Sequence, residues 1–117
     1  MADYGIALTW GEPKPGREKQ SLEVWADGAA LNDKAVADGR LDSWDAVIFE
    51  PSGAPPAGAI RLYGTREQIE AFVHSGEFES VIRRAQLTVS AFAFRRFVAG
   101  EALMQAFGEY SATVNAL

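Results

Sequence analysis

Apolar segments follow one another along this chain in an order that few folds can accommodate. From the N-terminus, their patterns are typical of a strand, a helix, two strands, a helix and a strand. Most of these strands carry apolar side chains on both faces, whereas two long helices can cover only one face of a four-stranded sheet. The order therefore predicts a single α+β domain, residues 1–117, whose uncovered sheet face packs against a second copy of the chain.

The first third of the chain predicts a strand, an irregular loop and a long helix. Residues 4–10 alternate large and small side chains, and the GEPKPG segment at 11–16 interrupts regular structure with two prolines and two glycines. From residue 17 to residue 38 apolar side chains recur at helical spacing, and Gly39 supplies a left-handed stop. The expected buried stripe of this helix is Leu22, Trp25, Ala26, Ala29 and Val36.

The middle of the chain predicts a hairpin followed by a capped helix. Residues 41–50 and 57–63 have the pattern of two strands joined by the PSGAPP loop. Thr65 and Gln68, three residues apart, form a capping box at the start of the second helical stretch. Ser75 follows a break in that stretch and can cap its continuation.

The last part of the chain predicts a long strand and an additional helix. Residues 87–98 have the pattern of a fourth strand, and a helix follows Gly100. The apolar stripe of this helix contains Leu103, Met104 and Phe107, with Tyr110 as a further member. Residues 111–117 have weak helical character and are expected to fray. We expect the helix either to pack on its own subunit or to reach across to the partner and lengthen the interface.

Composition limits the kinds of binding partner and the cellular location that we expect for this chain. The 117 residues contain 11 Lys and Arg against 16 Asp and Glu, a formal net charge of -5. Phosphate-rich partners require a basic face, so we expect neither a nucleic acid nor a membrane as partner. The chain has no cysteine, which excludes disulfides and thiolate chemistry and fits a cytoplasmic protein. We expect no leader segment and no membrane-spanning segment.

No catalytic or metal-binding motif is recognisable. His74 is the only histidine, and it lies near a helix break with no acidic partner at a fixed spacing, which is typical of a surface or capping residue. The glycines at 11 and 16 are not followed by the Lys-Ser/Thr pair of a phosphate loop, and Ser52 is not in a nucleophile elbow. We therefore expect no cofactor and no metal.

The element order resembles the ferredoxin-like fold, and in particular the dimeric α+β-barrel superfamily. The resemblance rests on five features: the GEPKPG break, the Gly39 stop, and the segments 43-SWDAVIFEP-51, 64-GTREQIEAF-72 and 77-EFESVIRRAQ-86. The last two segments are similar to a group of small bacterial proteins that have no assigned activity. The resemblance implies a βαββαβ topology with a four-stranded antiparallel sheet and two main helices on one face. Two such sheets would close face to face in a homodimer.

The hairpin register predicts which side chains face the partner. Pairing Glu50 with Ala57 places the aliphatic set under the helices and the mixed set on the opposite face. The aliphatic set is Val47, Phe49, Ile60 and Leu62. The candidate ligand-binding set is Trp44, Arg61 and Tyr63, joined by Phe92, Phe94 and Arg96 of the fourth strand. Apolar area with one cation is what a pocket for a small aromatic or anionic ligand needs.

Three functions remain compatible with this set of residues. One is binding of a small molecule in a cavity between the sheets of the homodimer. Another is a cofactor-independent reaction there, because the superfamily includes cofactor-free monooxygenases, haem-degrading enzymes and lactone isomerases. The third is a non-catalytic structural or regulatory dimer in which the same residues fill the interface, since aromatic residues and Arg are common interface anchors. The sequence does not select one of them.

Overall fold

The elements of the chain follow the predicted order, with the second helical stretch divided into two helices. In the computed structural model, which describes residues 2–117, the elements are β1 (Tyr4–Trp10), α1 (Glu18–Ala37), β2 (Ser43–Ile48), β3 (Gly58–Gly64), α2 (Arg66–Val73), α3 (Gly76–Thr88), β4 (Ala93–Val98) and α4 (Gly100–Asn115). The strands form a sheet in the order β2-β3-β1-β4, and every neighbouring pair is antiparallel. The ferredoxin-like α+β topology is confirmed.

The main core lies between one face of the sheet and the helices α1, α2 and α3. Ile6 and Leu8 of β1 stand opposite Leu62 and Ile60 of β3, so these four side chains point to the same face. All four are buried, and they pack against Leu31, Ala35, Ile69, Phe72 and Phe78. The prediction that Ile60 and Leu62 lie under the helices is confirmed. We call this side of the sheet the helix face and the other side the open face.

The buried stripe of α1 differs from the predicted one. The buried residues are Val24, Gly28, Leu31, Asn32 and Ala35. Leu22 and Trp25, which were predicted to be buried, have 72% and 41% of their surface exposed. The prediction followed the largest apolar side chains, whereas the stripe that contacts the core includes a glycine and an asparagine. The helix is therefore rotated by about one residue relative to the prediction.

The predicted helix ends and starts are confirmed in detail. The Thr65 hydroxyl oxygen accepts a hydrogen bond from the Gln68 amide at 3.1 Å, and the Gln68 side-chain oxygen accepts one from the Thr65 amide at 2.7 Å. The Ser75 hydroxyl accepts from the Phe78 amide at 3.2 Å and so caps α3. Gly39, just after α1, has a φ of 84°, the left-handed conformation that glycine adopts most easily.

The fourth strand is about half as long as predicted. Within the predicted range 87–98, α3 continues to Thr88, whose hydroxyl donates a hydrogen bond to the carbonyl oxygen of Arg84 at 3.0 Å. Val89 then forms an isolated bridge with Pro13 of the loop after β1. The apolar residues at the start of the predicted strand thus belong to the end of α3 and to the turn after it. Together, these two segments contact the irregular GEPKPG loop and hold it in place.

The helix α4 stands apart from the rest of the subunit. It begins at Gly100 as predicted, but it continues to Asn115, so the expectation that residues 111–117 fray is wrong over most of that range. No residue of α4 is buried, in contrast to the other three helices of residues 2–117. None of the described helices is both long enough and apolar enough to cross a lipid bilayer.

Candidate functional site

The β2–β3 hairpin has a register one residue away from the predicted one. Trp44 stands opposite Leu62, and the Phe49 amide donates a hydrogen bond to the Ala57 carbonyl oxygen at 2.9 Å. The prediction paired Glu50 with Ala57. Because a shift of one residue turns every side chain of a strand to the other face, the prediction is wrong and Trp44 lies on the helix face.

Contacts with α1 explain the observed register. The Trp44 indole nitrogen donates a hydrogen bond to the Asp33 carboxylate at 2.8 Å, and the Trp44 ring packs partly buried against the core. The expected burial of Val47 and Phe49 under the helices is wrong, since Val47 lies on the open face, Phe49 lies beyond the end of β2, and both are exposed. The register was predicted so that Arg61 would not share a face with aliphatic residues. This criterion cannot distinguish the two registers of β2, because pairing with β1 already places Arg61 on the open face.

The six candidate ligand-binding residues therefore do not form one group. Arg61 and Tyr63 lie on the open face. The other members lie on the helix side: Trp44 in β2, Phe94 and Arg96 in β4, and Phe92 just before β4, where it packs partly buried against the core. The expectation that all six share the face toward a partner is wrong. Arg61 and Tyr63 alone stay candidates for a site on the open face.

Arg96 binds a neighbouring helix. Its guanidinium donates two hydrogen bonds to the Glu70 carboxylate of α2, at 2.6 and 3.2 Å. The hydrogen bond from Arg96 holds the pKa of Glu70 below its ordinary value. Both side chains are about half exposed, so Arg96 and Glu70 form a surface ion pair. Arg96 therefore does not resemble a ligand-binding cation.

The lowered pKa of Glu70 predicts how stability changes with acid. A group whose pKa is lowered by folding stabilises the native state above its unfolded pKa, and this contribution disappears as the pH falls through the folded pKa. Glu70→Gln should therefore reduce the loss of unfolding free energy between about pH 5 and about pH 3, as measured by urea unfolding. Part of the loss should remain, because the hydrogen bond from Arg40 also lowers the pKa of Asp38. An unchanged pH slope would contradict the ion pair.

The open face combines small residues with a few large ones. Its small residues are Gly5, Ala7, Thr9, Ala59 and Ala93. Beside them Tyr63 and Phe97 meet edge to face, with ring centroids 5.4 Å apart. Arg61 donates two hydrogen bonds to the Asp45 carboxylate, at 2.8 and 3.2 Å, and this pairing raises the pKa of Arg61. The charge of Arg61 is therefore largely compensated within the subunit.

Arg95 is the cation of the open face that the sequence reasoning missed. It stands opposite Ala7, and it forms no ion pair with a carboxylate of residues 2–117. The sequence shows the pair Arg95–Arg96 but does not show which member faces the helices. The pairing of β4 with β1 and the ion pair of Arg96 with Glu70 decide this.

A concave region lies on the helix face. An apolar cleft of about 390 Å³ opens between α1, α3 and the sheet, and we call it the helix cleft. Its floor includes Leu8, Trp10 and Ile60, and its walls include Val24, Leu31, Phe78, Val81 and Ile82. Leu22, Trp25 and Ile48 surround its mouth with exposed apolar surface. No titratable side chain of residues 2–117 is part of the lining.

Asn32 supplies a polar group inside this apolar cleft. It lines the cleft and is only 4% exposed as a whole residue, and its side chain takes part in none of the hydrogen bonds within residues 2–117. Because no side-chain nitrogen or oxygen of these residues is both fully buried and without a hydrogen bond, the amide of Asn32 stays open to solvent through the cleft. Thr88, the other buried polar residue, differs because its hydroxyl shares its one hydrogen between the carbonyl oxygens of Arg84 and Ala85 in α3. The amide of Asn32 is thus free to bind a molecule that enters the cleft.

The sequence contains a signal for this site. Asn32 lies four residues after Gly28 and one residue after Leu31, so an amide interrupts the stripe that α1 buries. A buried amide at such a position is unusual unless it has a hydrogen-bond partner. The signal was missed because the predicted stripe was centred on Leu22 and Trp25.

His74 has no geometry that suggests catalysis. It ends α2 with an exposed side chain, and its ring nitrogen lies 3.7 Å from the Glu70 carboxylate, one helical turn earlier. The expectation that His74 has no acidic partner at a fixed spacing is therefore wrong, although the same carboxylate is already bound by Arg96. Among residues 2–117, no cluster of His, Asp and Glu could hold a metal ion. The helix cleft and the open face are therefore the two regions that geometry favours.

Comparisons with solved structures agree on the fold. The chain is similar to a dimeric ferredoxin-like protein of unknown function from Bacteroides fragilis, with a TM-score of 0.59, 8% identity, and coverage of 81% of this chain and 94% of that one. It is also similar to the hydroxynitrile lyase of Passiflora edulis, with a TM-score of 0.67, 10% identity, and coverage of 86% and 97%.

A third structure, a proposed antibiotic biosynthesis monooxygenase from Caulobacter crescentus, matches with a TM-score of 0.54, 14% identity, and coverage of 85% and 91%. No family model and no curated protein matches the sequence. The similarity to dimeric ferredoxin-like and monooxygenase-like proteins confirms the resemblance at the level of the fold. No specific activity follows from it.

Proposed function

We propose that the chain forms a homodimer and that each subunit binds a small, mostly apolar aromatic molecule in its helix cleft. Apolar and aromatic side chains would supply affinity, and the amide of Asn32 would orient the ligand by a hydrogen bond. The absence of cysteine supports a cytoplasmic location.

The observation that carries the proposal is the unpartnered amide of Asn32. No side-chain nitrogen or oxygen of residues 2–117 is both fully buried and without a hydrogen bond, so this amide opens into the helix cleft and is not sealed in the core. Asn32 is buried in the middle of α1, where an aliphatic side chain would satisfy the same packing. A ligand that accepts from or donates to the amide explains why an asparagine stands there.

The dimer is supported by the uncovered open face and by the similar Bacteroides protein, which is described as dimeric. Packing of the two open faces against each other would cover Tyr63, Phe97 and the small residues around them. The lining of the helix cleft has no titratable group, and this favours binding over general acid–base catalysis.

A second candidate is an anion-binding space between the two open faces. It is favoured by Arg95, a cation of that face without an ion-pair partner among residues 2–117. Tyr63 and Arg61 would border the space. Arg61 contributes less charge there, because Asp45 already binds it.

Calorimetric titration with 1-naphthol, an aromatic molecule with one hydroxyl group, tests the first proposal. We expect saturable binding of one molecule per chain, with a Kd on the order of 10–100 μM. Ala85→Phe, which fills the helix cleft from α3, should weaken binding at least about tenfold. Ala71→Phe puts the same ring on an exposed part of α2 and serves as the matched control.

Equal affinities of wild type and Ala85→Phe would contradict a site in the helix cleft. The second candidate predicts a different pattern, in which benzoate binds, Arg95→Gln abolishes this binding, and Ala85→Phe has no effect.

A further inference from the structure

The helix α4 has an apolar stripe that its own subunit leaves uncovered. Leu103, Phe107, Tyr110 and Val114 recur every three or four residues, and each is exposed. The opposite side of the helix carries Glu101, Gln105 and Glu109. Such amphipathic helices derive most of their stability from packing the apolar stripe against another surface.

The mouth of the helix cleft is an apolar surface that also lacks cover. Leu22 and Ile48 have 72% and 77% of their surface exposed, and Trp25 lies beside them. These three side chains come from α1 and from the end of β2. They border the opening through which a ligand would reach Asn32.

The open face alone offers a dimer little apolar area. Besides Val47, Tyr63 and Phe97, it presents mainly small or charged residues. A stable interface usually buries about 800 Å² on each partner, with an apolar centre. The stripe of α4 can supply the missing apolar area.

Continuity of the chain places α4 beside such an interface. A single residue, Ala99, separates α4 from β4, the edge strand whose side chains Phe97 and Arg95 lie on the open face. With 16 residues, α4 is about 24 Å long, and the longest dimension of the subunit is 53 Å. Because two packed sheets lie about 10 Å apart, a helix of this length would extend past the edge of a second sheet packed on the open face.

We propose that α4 of each subunit packs across the mouth of the partner's helix cleft. The stripe of α4 would contact Leu22, Trp25 and Ile48 of the second copy, so that each cleft is completed by the other subunit. This inference rests on the proposed homodimer and extends the proposed ligand site. In this arrangement ligand binding and dimerisation stabilise each other, because a ligand held under α4 favours the docked helix.

Engineered cysteines test the contact directly, since the chain has no cysteine of its own. A full-length chain with Ile48→Cys and Phe107→Cys should form covalent dimers under mild oxidation, seen on a non-reducing gel. The matched control replaces Phe107→Cys by Gln105→Cys, which lies on the polar side of α4. Dimer crosslinking in the first chain but not in the control supports the contact; equal crosslinking, or none, overturns it.

A second measurement uses charge in the full-length chain. Phe107→Glu should raise the dimer dissociation constant at least about 30-fold by sedimentation, whereas Gln105→Glu should change it less than about threefold. Equal dissociation constants for the two variants would refute the docked helix.

The two proposals fail separately in these experiments. Crosslinking of the Ile48→Cys and Phe107→Cys chain without any 1-naphthol binding would keep the docked helix and remove the ligand. Binding of 1-naphthol that is equally strong in Phe107→Glu and wild type, with no crosslink, would keep the ligand and remove the docked helix.

Discussion

Gly5→Ala is expected to destabilise the native state by about 2–3 kcal/mol and to lower the Tm by about 10 °C. Gly5 is buried in β1. A Cβ at this position would overlap the carbonyl oxygen of Leu62 and the ring of Phe97. The ring can move aside, but the carbonyl oxygen belongs to β3 and cannot move without distorting its pairing with β1.

Thermal and urea unfolding at one fixed protein concentration measure this effect, because the stability of the proposed dimer would depend on concentration. Gly76→Ala is the matched control, since a Cβ there meets no atom within 4 Å, and its effect should stay within about 0.5 kcal/mol. Equal stability of the Gly5→Ala variant and wild type would contradict the close approach of β1, β3 and Phe97.

Asn32→Leu is expected to weaken ligand binding without reducing stability. The amide forms no hydrogen bond within residues 2–117 but stays open to solvent through the cleft, so an apolar side chain of similar size should leave the unfolding free energy unchanged or raise it by up to about 1 kcal/mol. The same change should weaken 1-naphthol binding about tenfold or more, because the ligand loses a buried hydrogen bond. Urea unfolding and calorimetry on one preparation measure both quantities.

Thr88→Val is the control for this prediction. Thr88 also lines the helix cleft, but its hydroxyl hydrogen is already bound to carbonyl oxygens of α3. The variant should therefore lose about 1 kcal/mol of stability and bind 1-naphthol with little change, because no hydrogen bond to the ligand is lost. A loss of stability in Asn32→Leu, with unchanged binding, would identify Asn32 as a structural residue.

The sequence was a reliable guide where local chemistry determines the structure. The capping box of Thr65 and Gln68, the cap at Ser75 and the left-handed Gly39 all depend on neighbouring backbone atoms, and all are confirmed. The element order also follows from local periodicity and leads to the correct sheet topology.

The faces of the edge strands could not be predicted in this way. In β2, the face on which each side chain lies depends on the hydrogen bond from Trp44 to Asp33 of α1. In β4, it depends on which of Arg95 and Arg96 binds Glu70 of α2. These contacts join residues far apart in sequence, whereas an error of one residue in register reverses every side chain. For this reason the sequence predicts the candidate site on the open face, whereas the geometry of the structure favours the helix cleft.

Mapping of amide chemical shifts during titration with 1-naphthol tests the central claim most directly. If the ligand enters the helix cleft, the largest shifts should occur at Leu31, Asn32, Val81 and Ala85, which line it. Shifts concentrated instead at Ala7, Arg61 and Arg95 of the open face would contradict the account, as would the absence of any shift at millimolar 1-naphthol.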